Sequence, residues 1–331
     1  MEIKEVIGID IGKLKNELRI HTSQKTYEFD NTQAGLKKMQ QWVRKNVDVD
    51  KKELMFCFEH TGLYSHPLCV FLTENKYHYA VIPGLELKRS IGISRGKNDK
   101  IDAKRIARYS YEKREALPRF ILASEDIIQI KRLLSLREKL VKQCAGYKAT
   151  LKEYKHFLKR EENEILFHVH EKMIVELSKQ INKLDGQLND IIAHNKSLKQ
   201  MYELLVSIKG IGPQTALFVI AFTNGFTRFD SWRKFASYCG VAPFPNKSGI
   251  SVRGRTKVSN LANKKLKSLL DLCAKTSIQY NTEMKLYYEK RIRQGKSKMS
   301  TINIIRNKLL SRMFAVVNRA TPYVNTMGYS N

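Results

Sequence analysis

Two apolar seams set the firmest limit on how this chain can fold. Leu140, Cys144, Tyr147, Leu151, Tyr154 and Leu158 recur at steps of four and three, and Ile174, Leu177, Ile181, Leu184, Leu188 and Ile191 recur at steps of three and four. A 3.5-residue period marks helices that bury one stripe against another helix. The stretch from about 127 to 205 is therefore read as long helix. The charged segment Lys159 to Glu164 lies between the seams and marks a bend. An antiparallel pair within one chain and an intermolecular coiled coil are both open, and the regularity of the seams favours self-association.

The patterns on either side differ. Residues 1 to about 118 read as α/β: Glu5 to Ile11 is a β-branched run, Glu17 to Thr22 alternates, Lys25 to Phe29 is a short third strand, and Leu54 to Phe58 and Tyr77 to Ile82 are two more. Helical spacing separates them at Asn31 to Val47 and follows them at Asp99 to Glu115, after a loop punctuated by Gly92 and Gly96. Three strands in succession, then strands alternating with helices, predict a mixed sheet with a leading meander. Beyond Ile208 come short helices joined by Gly/Pro turns, ending in a basic helical tail. The expected division is 1–118, 119–204 and 205–331.

Charge narrows the function. The 331 residues carry 60 Lys and Arg against 32 Asp and Glu, a net of +28, with 42% apolar residues. That is enough apolar content for real cores, and the charge excess calls for an anionic partner, nucleic acid first and an acidic membrane surface second. About half the excess lies in Asn246 to Asn331, with 18 basic residues against three acids. The longest apolar runs, such as Ala216 to Phe222, fall well short of the roughly 20 residues a membrane span needs. The first ten residues alternate like a strand and carry acids, Glu2, Glu5 and Asp10, unlike a signal peptide. Five scattered cysteines without CxxC spacing fit a reducing cytoplasm, with neither a disulfide frame nor a zinc knuckle.

Three constellations could carry chemistry. In the first, Asp10 ends a hydrophobic strand in GIDIGK, Glu59 ends another in MFCFEHTG, and Asp99 and Asp102 open a helix in RGKNDKIDAKR. Carboxylates just past buried strands sit at a sheet rim where open α/β sheets bind ligands, and residues three apart share a helix face. Four converging carboxylates need divalent cations. Oxygen ligands of this kind suit Mg²⁺, and a pair of such ions can hold the attacking and leaving oxygens of a phosphodiester. The plainer alternative is a turn cap, a rim residue and a helix cap.

The second constellation, Ile208-Lys-Gly-Ile-Gly-Pro-Gln-Thr-Ala216, places Gly210 and Gly212 before a proline suited to a first helical turn, and it looks like a helix-hairpin-helix turn. Its backbone N–H groups could grip a phosphate, or the turn could simply join two helices. The third is the polar loop from Asn246 to Ser259, with Ser248 and Ser251 among Lys247, Arg253, Arg255 and Lys257. It reads as a phosphate-contact loop, and a serine in it could attack a phosphodiester held by arginines beside a metal centre. His60 adjoins Glu59 and could tune that site, while His168 and His170 have poor spacing for a helical metal pair. No Walker lysine motif, HExxH or nucleophile elbow is present.

Together these segments, with FASYCGVAPFPNKSG and SVRGRTKVSNLANKKLK, resemble the DEDD transposases of insertion sequences, the IS-one-ten family, relatives of the Piv-type DNA invertases. The resemblance runs from Val6 to about Cys273. It implies a RuvC-like, ribonuclease-H-type first domain whose Asp10, Glu59, Asp99 and Asp102 bind magnesium, and a nucleophilic serine that joins covalently to DNA. Ser248, in the SG pair, matches that serine better than Ser251. It further implies a bridge RNA that pairs with donor and target DNA. Dimers are implied to assemble into a tetramer in which one chain's acidic site meets another's serine domain, in a prokaryotic cytoplasm at the nucleoid. Asn260 and Asn263 depart mildly from the family pattern, as does the tail after Tyr280. Three other readings compete: a metal-dependent junction nuclease with water as nucleophile, an actin-like sugar kinase, and a non-catalytic RNA-binding protein.

Overall fold

The structure is a computed structural model and describes residues 2–90, 98–248 and 252–324. It divides into two compact units, Met1–Leu122 and Ala123–Asn331.

The first unit is built on a five-stranded sheet of order β3-β2-β1-β4-β5. β1 (Glu5–Ile11) is central and almost wholly buried, which is why its sequence is a near-continuous apolar run. β2 (Lys15–Ile20) and β3 (Thr26–Asp30) follow as an antiparallel meander. After α1 (Gln33–Asn46), β4 (Leu54–Glu59) adds parallel to β1; after α2 (His66–Glu74), β5 (His78–Ile82) adds parallel to β4. α3 (Gly84–Ser90) and α4 (Asp99–Glu112) complete the unit.

Strand alternation sorts the two faces. Ile7, Ile9, Leu18, Phe56 and Phe58 pack with Leu36 and Met39 of α1 and Leu68 and Leu72 of α2. Val6, Met55, Cys57, Ala80 and Ile82 pack with Leu87 of α3 and Ile106 of α4. The predicted mixed sheet and leading meander are both present.

The second unit is mainly helical. α5 (Glu125–Phe157) and α6 (Glu164–His194) form an antiparallel hairpin within one chain. Its register is fixed by Tyr154 against His170 (ring centroids 5.1 Å), Cys144 against Ser178 (3.8 Å) and a two-pronged Arg137–Asp185 ion pair (2.6 and 3.0 Å). The two seams therefore face each other within the chain. α7 (Lys196–Val206), α8 (Pro213–Thr223) and α9 (Trp232–Tyr238) follow, then the hairpin β6 (Pro243–Ser248) and β7 (Val252–Val258). α10 (Lys264–Tyr280), α11 (Thr282–Arg293) and α12 (Lys298–Arg319) close the chain.

One sequence expectation needs correction here. The polar stretch read as a loop is largely a two-stranded antiparallel hairpin, with Lys247 opposite Arg253 and Ser248 opposite Val252. Its polar residues masked the extended pattern. The basic C-terminal segment is helical as expected, and its last helix, α12, is part of the core. Ile305, Leu309, Leu310 and Met313 are fully buried, and the buried Arg306 is ion-paired with Asp271 of α10. Its apolar stripe outweighs its charge, as the basic residues lie on the remaining faces or are paired.

The apolar run from Ala216 is likewise interior, in α8, and no described helix is long and apolar enough to cross a membrane. All five cysteines are free and buried, and burial pushes the Cys57, Cys69 and Cys239 thiols up to about 12.

A carboxylate cluster at the sheet rim

The acidic centre is positioned by one glycine. A Cβ on Gly8 would overlap the Ala107 nitrogen and the Ala103 carbonyl, so α4 lies directly on β1 there, closer than any side chain allows. Asp10 lies two residues further along β1 and so shares Gly8's face. One turn back along α4 from Ala107 is Ala103, and beyond it lie Asp102 and Asp99 in the first turn. The close contact thus brings the start of α4 to the end of β1. Asn98, not Asp99, caps this helix, accepting the Lys100 N–H at 2.9 Å. Asp99 and Asp102 are therefore free of the capping duty that would have explained them structurally.

Glu59 comes from the neighbouring strand. The parallel register runs to Ile9 opposite Phe58, so the next step sets Asp10 beside Glu59. The Glu59 carboxylate lies against Gly84 at the start of α3, where a Cβ would overlap it. Asp102 also accepts from Arg105 at 2.9 Å.

The electrostatic result is concentrated on Asp10. Burial raises its carboxyl first, and the charges of Asp99, Asp102 and Glu59 raise it further, to about 6. All four acidic residues proposed from sequence are thus near enough to act on one group. Among the described residues, no three acidic, histidine or cysteine side chains are grouped so that they could hold a metal ion.

Sequence reasoning missed a fifth acid, Glu17, which pairs in register with Asp10 across β1–β2 and is only 5% exposed. Burial raises its carboxyl most, Lys100 opposes that, and Glu28 and Asp99 add to it. The available signal was the alternation from Glu17 to Thr22, which places Glu17, Arg19 and His21 on one face. His60 is exposed and accepts the Gly62 N–H at 3.1 Å through Nδ1, shaping the turn after Glu59.

The remaining candidates lie in the second unit. Ser248 ends β6, and Lys247, Arg253, Arg255 and Lys257 lie along the same hairpin. Ser251 falls outside the described residues. Gly210 has φ +100° and a Cβ there would strike the Ser277 hydroxyl, which donates to the Lys209 carbonyl at 2.9 Å. The Gly212 N–H is directed at the Cys273 thiol. The glycine turn is thus pinned to α10 through Ser277. Gln214 extends the tie by donating to Asp185 at 3.0 Å, joining α8 to the α5–α6 hairpin.

A rim of carboxylates beside a parallel strand pair, carried by a strongly basic chain with a helical second unit, defines an enzyme class that works on nucleic acid. Residues 7–158 match a family model described as a transposase, and residues 202–289 match the transposase IS116/IS110/IS902 family. The chain belongs to this family of insertion-element transposases and is a DNA transposase or recombinase. It is 26% identical over 326 residues to the pilin gene-inverting protein of Moraxella bovis, covering 97% of this chain and 98% of that protein, and equally to its Moraxella lacunata counterpart. An insertion element IS110 protein of Streptomyces coelicolor is 27% identical over 145 residues, 44% of this chain and 34% of that protein.

Proposed function

We propose that this transposase is a site-specific recombinase in which Asp10, Glu59, Asp99 and Asp102 hold magnesium and Ser248 is the nucleophile. The observation that carries the reading is that the end of β1, the end of β4 and the start of α4 bring Glu59, Asp99 and Asp102 near enough to add to the effect of burial on Asp10. A set of carboxylate oxygens, with Asp102 also paired to Arg105, fits a hard divalent cation, which takes oxygen donors, rather than a soft one. When bound, the metal offsets the phosphodiester's charge and that of the departing oxygen.

The residues of the chain then divide the work. The Ser248 hydroxyl loses its proton as it bonds to phosphorus, the 3′ oxygen leaves and takes up a proton, and the DNA is held as a 5′-phosphoserine. Attack by another strand's 3′ hydroxyl releases the serine and rejoins the DNA. Lys247, Arg253, Arg255 and Lys257 neutralise phosphates around the serine, and the turn at Gly210 and Gly212 supports that domain's grip on nucleic acid.

In this reading residues 1–118 are a RuvC-like domain, 119–204 the dimerisation helices and 205–331 the transposase domain. A structured bridge RNA selects donor and target DNA by base pairing, and the net charge of +28 suits holding both nucleic acids. The acids lie in the first unit and Ser248 in the second, and in this reading one chain's acids meet another chain's Ser248 in a dimer or tetramer. Exposed Phe157, Ile165, Leu166 and Val169 around the α5–α6 turn supply an apolar surface for that assembly. Such a protein works at the prokaryotic nucleoid, in the cytoplasm.

The test is a denaturing gel of protein incubated with its recombination substrate. A DNA–protein adduct is expected, lost in Ser248→Ala and retained in Ser251→Ala. Cleavage with no adduct in any variant would assign the attack to water, as in a junction nuclease.

A further inference from the structure

We propose that the cleft between α4 and β2 binds a backbone phosphate of the DNA strand that occupies the carboxylate centre, with Arg19, Lys104 and Arg108 as its cationic contacts. The cleft is about 170 Å³ and is lined by Arg19, His21, Gln24, Lys104, Arg108 and Tyr111, among others. That is smaller than the roughly 300 Å³ at which ordinary small-molecule sites begin, and it suits a phosphate with part of its sugar.

Its position follows from periodicity. Arg19 shares a face with Glu17 and lies opposite Gly8, roughly 7 Å along the strand from the Asp10–Glu17 pair. Lys100, Lys104 and Arg108 recur every fourth residue of α4 and so form one stripe beside that face. The stripe starts next to Asp99 and leads away from the carboxylates, so a strand placed on the acids continues into the cleft.

The cleft is held ready and left incomplete. Arg19 donates through Nη2 to Gln24 Oε1 at 2.5 Å, while its Nε is buried with no acceptor. A buried donor without a partner is costly, and an anion drawn against this guanidinium gives it what it lacks. Gln24 has a left-handed backbone, φ +60°, and its amide also donates to the His21 carbonyl. Strain of this kind persists where surrounding bonds over-determine it, and here the Gln24 side chain is held between the Arg19 guanidinium and the His21 carbonyl.

The floor is the stacked pair His21–Tyr111, with centroids 4.0 Å apart, and Arg114 lies 4.3 Å above the Tyr111 ring. Glu112 is the acid at the cleft, and Arg108 pairs with it at 2.9 Å. Lys104 has no acidic partner among the described residues. Burial lowers the affinity of His21 for a proton, Glu112 opposes this, and Arg108 and Arg114 lower it further.

The inference rests on the DNA-cleaving reading of the acidic centre but is tested without cleavage. Full-length protein carrying ¹³C-labelled histidine is titrated with the deoxydinucleotide pTpT, without divalent metal, and the His21 ring signals are followed. Saturable shifts of His21 are expected in wild type and in Asp10→Asn, with at least tenfold weaker binding in Arg19→Gln and Lys104→Gln. Gln24→Gly relieves the backbone strain without removing a charge, and it is expected to keep thermal stability while weakening pTpT binding several-fold. Unmoved His21 signals, or equal binding by wild type and Arg19→Gln, would overturn the site. So would a response to pUpU alone, which would transfer it to RNA. Recombination retained by Asp10→Asn would instead defeat the catalytic reading and leave this measurement standing.

Discussion

Neutralising Asp10 should stabilise the metal-free protein, although the residue is placed at the heart of catalysis. Its carboxyl is displaced from an ordinary 3.8 to about 6 by burial and by three neighbouring acids. At 1.36 kcal/mol per pH unit this amounts to roughly 3 kcal/mol against the ionised folded state. The group is only partly buried, so solvent screening reduces the figure to about 1–1.5 kcal/mol. The sign follows from proton binding. Below the unfolded value of 3.8 both states are protonated and the group costs nothing; the cost grows as pH rises and is complete above about 6.

Asp10→Asn keeps the shape and removes the charge. For a unit of about 120 residues, roughly 4 °C of melting temperature accompanies each kcal/mol. Scanning calorimetry in EDTA should therefore show the first unit's transition raised by about 4–6 °C at pH 7.5 and hardly moved at pH 4. Magnesium should raise the wild-type transition and have much less effect on the variant. A variant no more stable than wild type at pH 7.5, or stabilised equally at both pH values, would refute the electrostatic account of this cluster.

Other consequences are simpler to check. Gly8→Ala forces its methyl into the α4 backbone and should cost about 1–3 kcal/mol in urea titration while weakening magnesium-induced stabilisation, because Asp99 and Asp102 move with the helix. Arg137→Ala leaves Asp185 half-buried without its charge partner and should cost about 1–3 kcal/mol, with α6 amides exchanging faster. Phe157→Ser combined with Ile165→Ser removes exposed apolar surface at the α5–α6 turn, and sedimentation should then shift towards the monomer with no loss of melting temperature.

The acids were legible in the sequence because strand ends announce themselves. β1 and β4 are apolar runs that stop at a carboxylate, and the α4 pair follows a capping Asn98. Glu17 was not legible, because its role depends on register. Only the β1–β2 pairing puts it opposite Asp10, and the same pairing sets Arg19 beside Gly8.

The heptads predicted long helices correctly but left their partner open, since a 3.5-residue seam reads the same whether the facing helix is intramolecular or not. The structure closes them on each other through Tyr154, Cys144 and Arg137. The C-terminal segment was legible as a basic helix, but its place in the core was not. Charge describes the faces of α12 that meet solvent, whereas Ile305, Leu309 and Met313 decide where the helix goes.

Because every native thiol is enclosed, and three of them are held protonated to about pH 12, the surface of this protein is chemically silent toward maleimides. A cysteine introduced at an exposed position in each unit would take a spectroscopic label selectively, with no native residue replaced. Distances between such labels could follow the two units through a full recombination cycle in an otherwise wild-type protein.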